Sequence, residues 1–121
     1  MPPPCGPRGQ EEGPSRAKYL FQVSYTSEGL KGLLKEGGSS RVAAIRKLTE
    51  SRGGKLEAFY FSFGDDDVYL IADLPSHVEA SAISLAVGAS GAARVKTVVL
   101  LSPEEIDAAT KIDVGYRPPG A

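Results

Sequence analysis

Few residues in this chain carry chemistry. The single histidine, His77, can in principle act as a general base or a metal ligand. It stands, however, in Ser76-His77-Val78-Glu79, a capping pattern at a helix start, and no second ligand accompanies it. A surface position without a metal is the simpler reading. The only cysteine, Cys5, lies in a stretch rich in proline and glycine with Arg8 as its nearest cation, so neither a disulfide nor a reactive thiol is expected. Asp65-Asp66-Asp67 offers three carboxylates to a hard cation. Adjacent aspartates in a turn diverge, and further ligands are missing, so no metal and no cofactor are expected.

Gly37-Gly38-Ser39-Ser40-Arg41 sets backbone N–H groups, the hydroxyls of Ser39 and Ser40 and the cation of Arg41 at a helix start. That combination can hold a phosphate or a carboxylate. The same residues also serve simply to stop one helix and begin the next, with Ser39 or Ser40 as the cap.

Two runs dense in aromatic and aliphatic residues, Lys55 to Phe63 and Val68 to Leu74, flank Gly64-Asp65-Asp66-Asp67 and predict a β-hairpin. A four-residue turn pairs Phe63 with Val68 and Phe61 with Leu70. Phe59, Phe61, Phe63, Val68, Leu70 and Ala72 then share an apolar core face, because side chains alternate across a strand. The other face carries Tyr60, Ser62, Tyr69, Ile71 and Asp73, and the first strand adds Leu20, Gln22 and Ser24 to it. Tyr60, Ser62, Tyr69, Asp73, Gln22 and Ser24 are therefore the candidate ligand-binding residues. An equally good reading has them satisfy one another across an interface.

These residues are positioned by a regular succession of elements. Ala17 to Tyr25 alternates as a strand, and Ser27 to Glu36 carries Leu30, Leu33 and Leu34 at helical spacing. A second helix runs to about Arg52, and the hairpin follows. An alanine-rich helix begins at Ser76, the fourth strand spans Arg94 to Leu101, and Ser102-Pro103-Glu104-Glu105 caps a last short helix ending near Lys111. The order strand, helix, strand, strand, helix, strand predicts an α+β fold of ferredoxin-like βαββαβ type, a four-stranded antiparallel sheet with its helices on one face. Residues 1–16 have the composition of a disordered tail, 17–112 form the domain, and 113–121 lie extended.

The segment Lys18 to Gly29, the Gly37 to Arg41 break, the hairpin with Gly64 and Asp67, and Ser102-Pro103-Glu104-Glu105 together resemble the GYD domain family over about residues 17 to 112. The family's namesake Gly-x-Tyr-Asp stands here as Gly64-Asp65-Asp66-Asp67, with Asp66 in the tyrosine's place, so no role of that tyrosine carries over. The resemblance implies a small bacterial protein of unassigned function with the dimeric α+β barrel type of this fold.

Composition narrows the function classes. A chain of 121 residues with 41% hydrophobic and 24% charged residues has one modest core, and a net charge of −1 gives no reason to expect nucleic acid or anionic lipid. One cysteine excludes the iron–sulfur and Cys-x-x-Cys metal-transfer proteins that share this topology. No apolar run is long enough to span a membrane and no signal-peptide stretch opens the chain, so a cytoplasmic location is the default. The sequence favours a small-molecule binding or sensing module, with the ligand between sheet and helices. It would act as a homodimer, or an oligomer of dimers, joined through the open sheet face. The alternatives are a cofactor-independent or haem-assisted enzyme of the dimeric α+β barrel kind, with no catalytic residue assigned, and an assembly module without a ligand.

Overall fold

Alternation makes the first strand. In β1 (Ala17–Tyr25) the residues Tyr19, Phe21 and Val23 are buried, while their neighbours Lys18, Leu20 and Gln22 face the other way. The computed structural model describes residues 16–120, and all but the last residue of the tail expected at 1–16 lies outside them. After β1 come α1 (Ser27–Glu36), α2 (Gly38–Ser51), β2 (Lys55–Phe61), β3 (Val68–Leu74), α3 (His77–Ala89), β4 (Ala93–Leu100) and α4 (Pro103–Thr110). The strands form one antiparallel sheet in the order β2-β3-β1-β4. This is the ferredoxin-like arrangement, with the first crossover made by two helices and α4 appended. Among the described residues no helix is long and apolar enough to cross a membrane.

The core lies between one sheet face and the helices. Tyr19, Phe21, Leu56, Val68, Leu70 and Leu74 are its buried centre, and Val42, Ile45, Ile83 and Val87 pack on it from α2 and α3. Burying one such side chain stabilises the fold by roughly 1.5–3 kcal/mol. α2 packs over β2 and α3 over β4, the two edge strands.

The hairpin corrects the expected register. Phe61, not Phe63, stands opposite Val68, with Tyr60 opposite Tyr69 and Phe59 opposite Leu70. The shift is two residues, so the residues that remain in the strands keep their expected faces, but Phe63, expected in the core, falls in the loop and is 57% exposed. The loop is therefore six residues long, Ser62 to Asp67, closed by Ser62 N–H donating to the Asp67 carbonyl at 2.9 Å. Two of its aspartates turn inward instead of capping a tight turn. Asp67 Oδ2 accepts from the Tyr25 N–H at 2.8 Å, and Asp66, 3% exposed, accepts from Ser24 Oγ at 2.9 Å and lies 3.2 Å from Lys96 Nζ. Phe63 has φ of 57°, a strained value for a bulky residue. Its ring stacks on Phe61 at 5.9 Å, which offsets part of that strain. Further along β2 the pairing slips between Leu56 and Ala58, leaving Glu57 as the extra residue of a bulge and turning Leu56 inward.

Helix ends differ in two instances from expectation. Ser102 and Glu105 make the complete capping box at α4, with Pro103 in the first turn. Ser76 caps α3 through the Glu79 N–H, but the Glu79 carboxylate turns to Arg52 at 2.8 and 3.1 Å instead of completing a box. Neither Ser39 nor Ser40 caps α2. Gly37, at φ of 85°, makes the turn alone and places both serines inside the first helical turn.

Candidate functional site

Because α2 and α3 sit over the edge strands, the central strands β1 and β3 lie at the bottom of a gap between the helices. That gap is a cavity of about 400 Å³. Phe21, Val23, Val68, Leu70 and Val95 floor it, with Phe59 from β2. Gly29, Gly32 and Leu33 of α1, Ile45 and Leu48 of α2, and Ile83 and Val87 of α3 wall it. Volume and lining fall in the range of small-molecule sites, which are largely apolar with a few placed polar groups.

The polar groups divide into engaged and available. Thr49 Oγ1 donates to the Ile45 carbonyl at 2.8 Å, Ser84 Oγ to the Ala80 carbonyl at 3.1 Å, and Ser90 Oγ to the Val87 carbonyl at 2.6 Å. Tyr25, Glu28, Glu36 and Arg41 remain at the cavity. Burial holds the Tyr25 hydroxyl above the ordinary tyrosine pKa of 10.0, against the opposing pull of the adjacent Arg41 guanidinium. At neutral pH it is a hydrogen-bond donor. Arg41 Nη1 is 3.8 Å from Glu36 Oε2, an ion pair beyond hydrogen-bond range.

Arg41 thus belongs to the cavity wall, whereas Ser39 and Ser40, its partners in the expected anion site, are exposed. Ser40 Oγ donates to Glu36 Oε1 at 3.2 Å. The six open-face candidates fall into three groups. Tyr60, Tyr69 and Gln22 are successive in one row across the sheet, which Lys96 continues. Ser24 and Ser62 are tied to the hairpin loop through Asp66, Ser62 by donating to its carbonyl at 2.5 Å. Asp73 lies further along β3, near Lys18 Nζ at 3.9 Å and with Oδ1 at 2.9 Å from Arg16 Nε, though poorly aligned for a hydrogen bond.

Two features escaped the sequence reading. His77 Nδ1 lies 2.5 Å from the hydroxyl of Tyr19, whose ring is 1% exposed, and burial raises the Tyr19 pKa. Nothing in either residue's local pattern signals that pairing. The cavity polar end, Tyr25 with Arg41, had half a signal, since Tyr25 continues the inward alternation of β1. Among the described residues no three His, Asp or Glu side chains are grouped to hold a metal.

Comparison with known proteins agrees with the resemblance noted from the residues. The family profile described as GYD domain matches residues 19–110. No curated protein and no solved structure matches the chain. The matched span runs from Tyr19 in β1 to the end of α4, taking in all of the sheet but Ala17 and Lys18 and every wall of the cavity, and the chain belongs to the GYD domain family.

Proposed function

We propose that this chain is a small-molecule binding or sensing module that works as a homodimer. The cavity of about 400 Å³ between sheet and helices carries the reading. It combines an apolar interior with a polar end made by Tyr25, Arg41 and Glu36, the composition that binds and orients small organic molecules. Among the described residues that line it, no nucleophile stands beside a general base, which favours binding over catalysis.

The homodimer rests on the opposite sheet face. Ala58, Ile71, Leu20 and Val98 make an apolar row across all four strands, and Val98 is 39% exposed. On one side of it run Tyr60, Tyr69, Gln22 and Lys96, on the other Lys55, Asp73, Lys18 and Leu100. An apolar strip between polar rows is the layout of an interface core with its rim, and a second copy about a two-fold axis is the simplest cover.

Native mass spectrometry tests both halves. A dimer carrying a non-covalent mass that departs on denaturation is expected, and Gly32→Phe, placed on the cavity lining to obstruct it, should lose that mass. A ligand retained by Gly32→Phe would place binding elsewhere.

A further inference from the structure

We infer that the cavity takes an apolar molecule ending in a carboxylate, held by the Arg41 guanidinium and the Tyr25 hydroxyl. The inference rests on the binding role proposed above and adds the chemical class of the ligand.

Three charged side chains line the cavity, and their partners distinguish them. The Glu28 side chain is 79% exposed, in water, and pairs with Lys31 at 3.5 Å. Glu36 accepts from Ser40 at 3.2 Å through one oxygen and offers the other to Arg41 only at 3.8 Å. The Arg41 side chain is the most sheltered of the three, 34% exposed. Its contact with Glu36, the one carboxylate it pairs with among the described residues, is too long for a hydrogen bond.

A guanidinium presents five N–H donors in a planar fork that matches a carboxylate, and a charge walled by apolar side chains favours a directly bonded counter-charge. Tyr25 adds a donor beside it, protonated at neutral pH. Two other carboxylates lie near that hydroxyl, Asp67 and Glu36. Asp67 is engaged by the Tyr25 N–H at 2.8 Å. Glu36, 39% exposed and already bonded to Ser40, can turn outward as a ligand takes its place at Arg41. An ammonium group arriving at the same point meets the like charge of Arg41.

Gly32 supplies the control, because a Cβ built there meets nothing within 4 Å. Gly32 lines the cavity, so larger side chains there have room without displacing the backbone and are expected to obstruct it. The test is isothermal titration of the full chain with decanoate, decanamide and decylamine, three probes that share a tail and differ in the head group. Decanoate should bind at least tenfold more tightly than the other two. Arg41→Gln should abolish that preference, bringing decanoate to within about twofold of decanamide in the same variant, and Gly32→Phe, with Gly32→Leu as a second variant, should block all three. Equal binding of the three probes, or tightest binding of the amine, blocked by the Gly32 variants, would overturn the carboxylate assignment and leave the cavity as the binding site. Binding of none of them, or binding unaffected by both Gly32 variants, would overturn the cavity reading and this inference together.

Discussion

Asp67 and Tyr25 are joined by a charge-assisted hydrogen bond, the Tyr25 N–H donating to Asp67 Oδ2 at 2.8 Å across 42 positions of sequence. A second bond runs the other way along the same seam, from the Asp67 N–H to the Val23 carbonyl at 2.8 Å. The aspartate that ends the family's namesake motif therefore stitches the hairpin loop to the end of β1, and so sets the height of Tyr25 at the cavity.

Removing that carboxylate leaves a strand-end N–H without its acceptor. Hydrogen bonds to charged groups are worth about 1.5–3 kcal/mol. Asp67→Ala should lower stability by about 2 kcal/mol in urea unfolding, and Asp67→Asn, which keeps an acceptor oxygen, by clearly less. Equal losses for the two variants would show that the carboxylate acts through something other than this bond.

Much of this was legible beforehand, and the particular failures are instructive. The alternation of β1 and β3 survives in the structure because side-chain parity is a property of the strand itself. The register of the hairpin did not follow, since Asp66 and Asp67 look like turn residues and only their long-range partners, Ser24 and Tyr25, reveal them as loop anchors. The bulge at Glu57 is likewise invisible locally. The cavity depends on how far apart α2 and α3 settle over the edge strands, a distance no residue in either helix encodes alone. The helix-start context of Arg41 suggested the backbone and the hydroxyls of Ser39 and Ser40 as its neighbours, whereas folding places it at the cavity beside Tyr25.

The open sheet face makes a separate prediction. Ile71 sits in the apolar row opposite Leu20 and Ala58. Ile71→Lys would bury an unpaired charge in a sheet-on-sheet dimer, at a cost of several kcal/mol. Light scattering should find the wild type dimeric at micromolar concentration and the variant monomeric with an unchanged circular dichroism spectrum. A variant that stays dimeric would mean that another surface pairs.

Tyr19 gives the pH dependence. Burial raises its folded pKa above 10.0, and Tyr25 is raised by the same cause. A group whose folded pKa is raised contributes stability that is complete below the unfolded pKa and is lost as pH climbs through the folded one. Stability should therefore hold from neutrality to about pH 9 and fall from about pH 10 upward. Tyr19→Phe should be about 1 kcal/mol less stable at pH 8, having lost its bond to His77, yet show a shallower alkaline decline. Urea midpoints measured from pH 7 to 11 would decide it, and parallel alkaline slopes for the two proteins would rule Tyr19 out as the titrating group.

Two glycines on the cavity side of α1 are expected to respond oppositely to the same substitution. Glycine within a helix costs about 1 kcal/mol relative to alanine, so Gly→Ala stabilises wherever the methyl group has room. At Gly32 a Cβ meets nothing within 4 Å, and Gly32→Ala should raise the melting temperature by several degrees, about 1 kcal/mol. At Gly29 the same carbon would lie 2.0 Å from the Ala92 carbonyl oxygen and 2.9 Å from the Tyr25 ring. The Ala92 carbonyl is fixed by the Thr26 N–H at 3.0 Å, so the helix must give way instead. Gly29→Ala should destabilise by more than the propensity gain, and in lifting α1 it should also displace Tyr25 and weaken binding in the cavity. Thermal melts of both variants, read beside ligand titration, check the pair. A stabilised Gly29→Ala would show that α1 is not held against the Ala92 turn and that the cavity wall on that side is free to move.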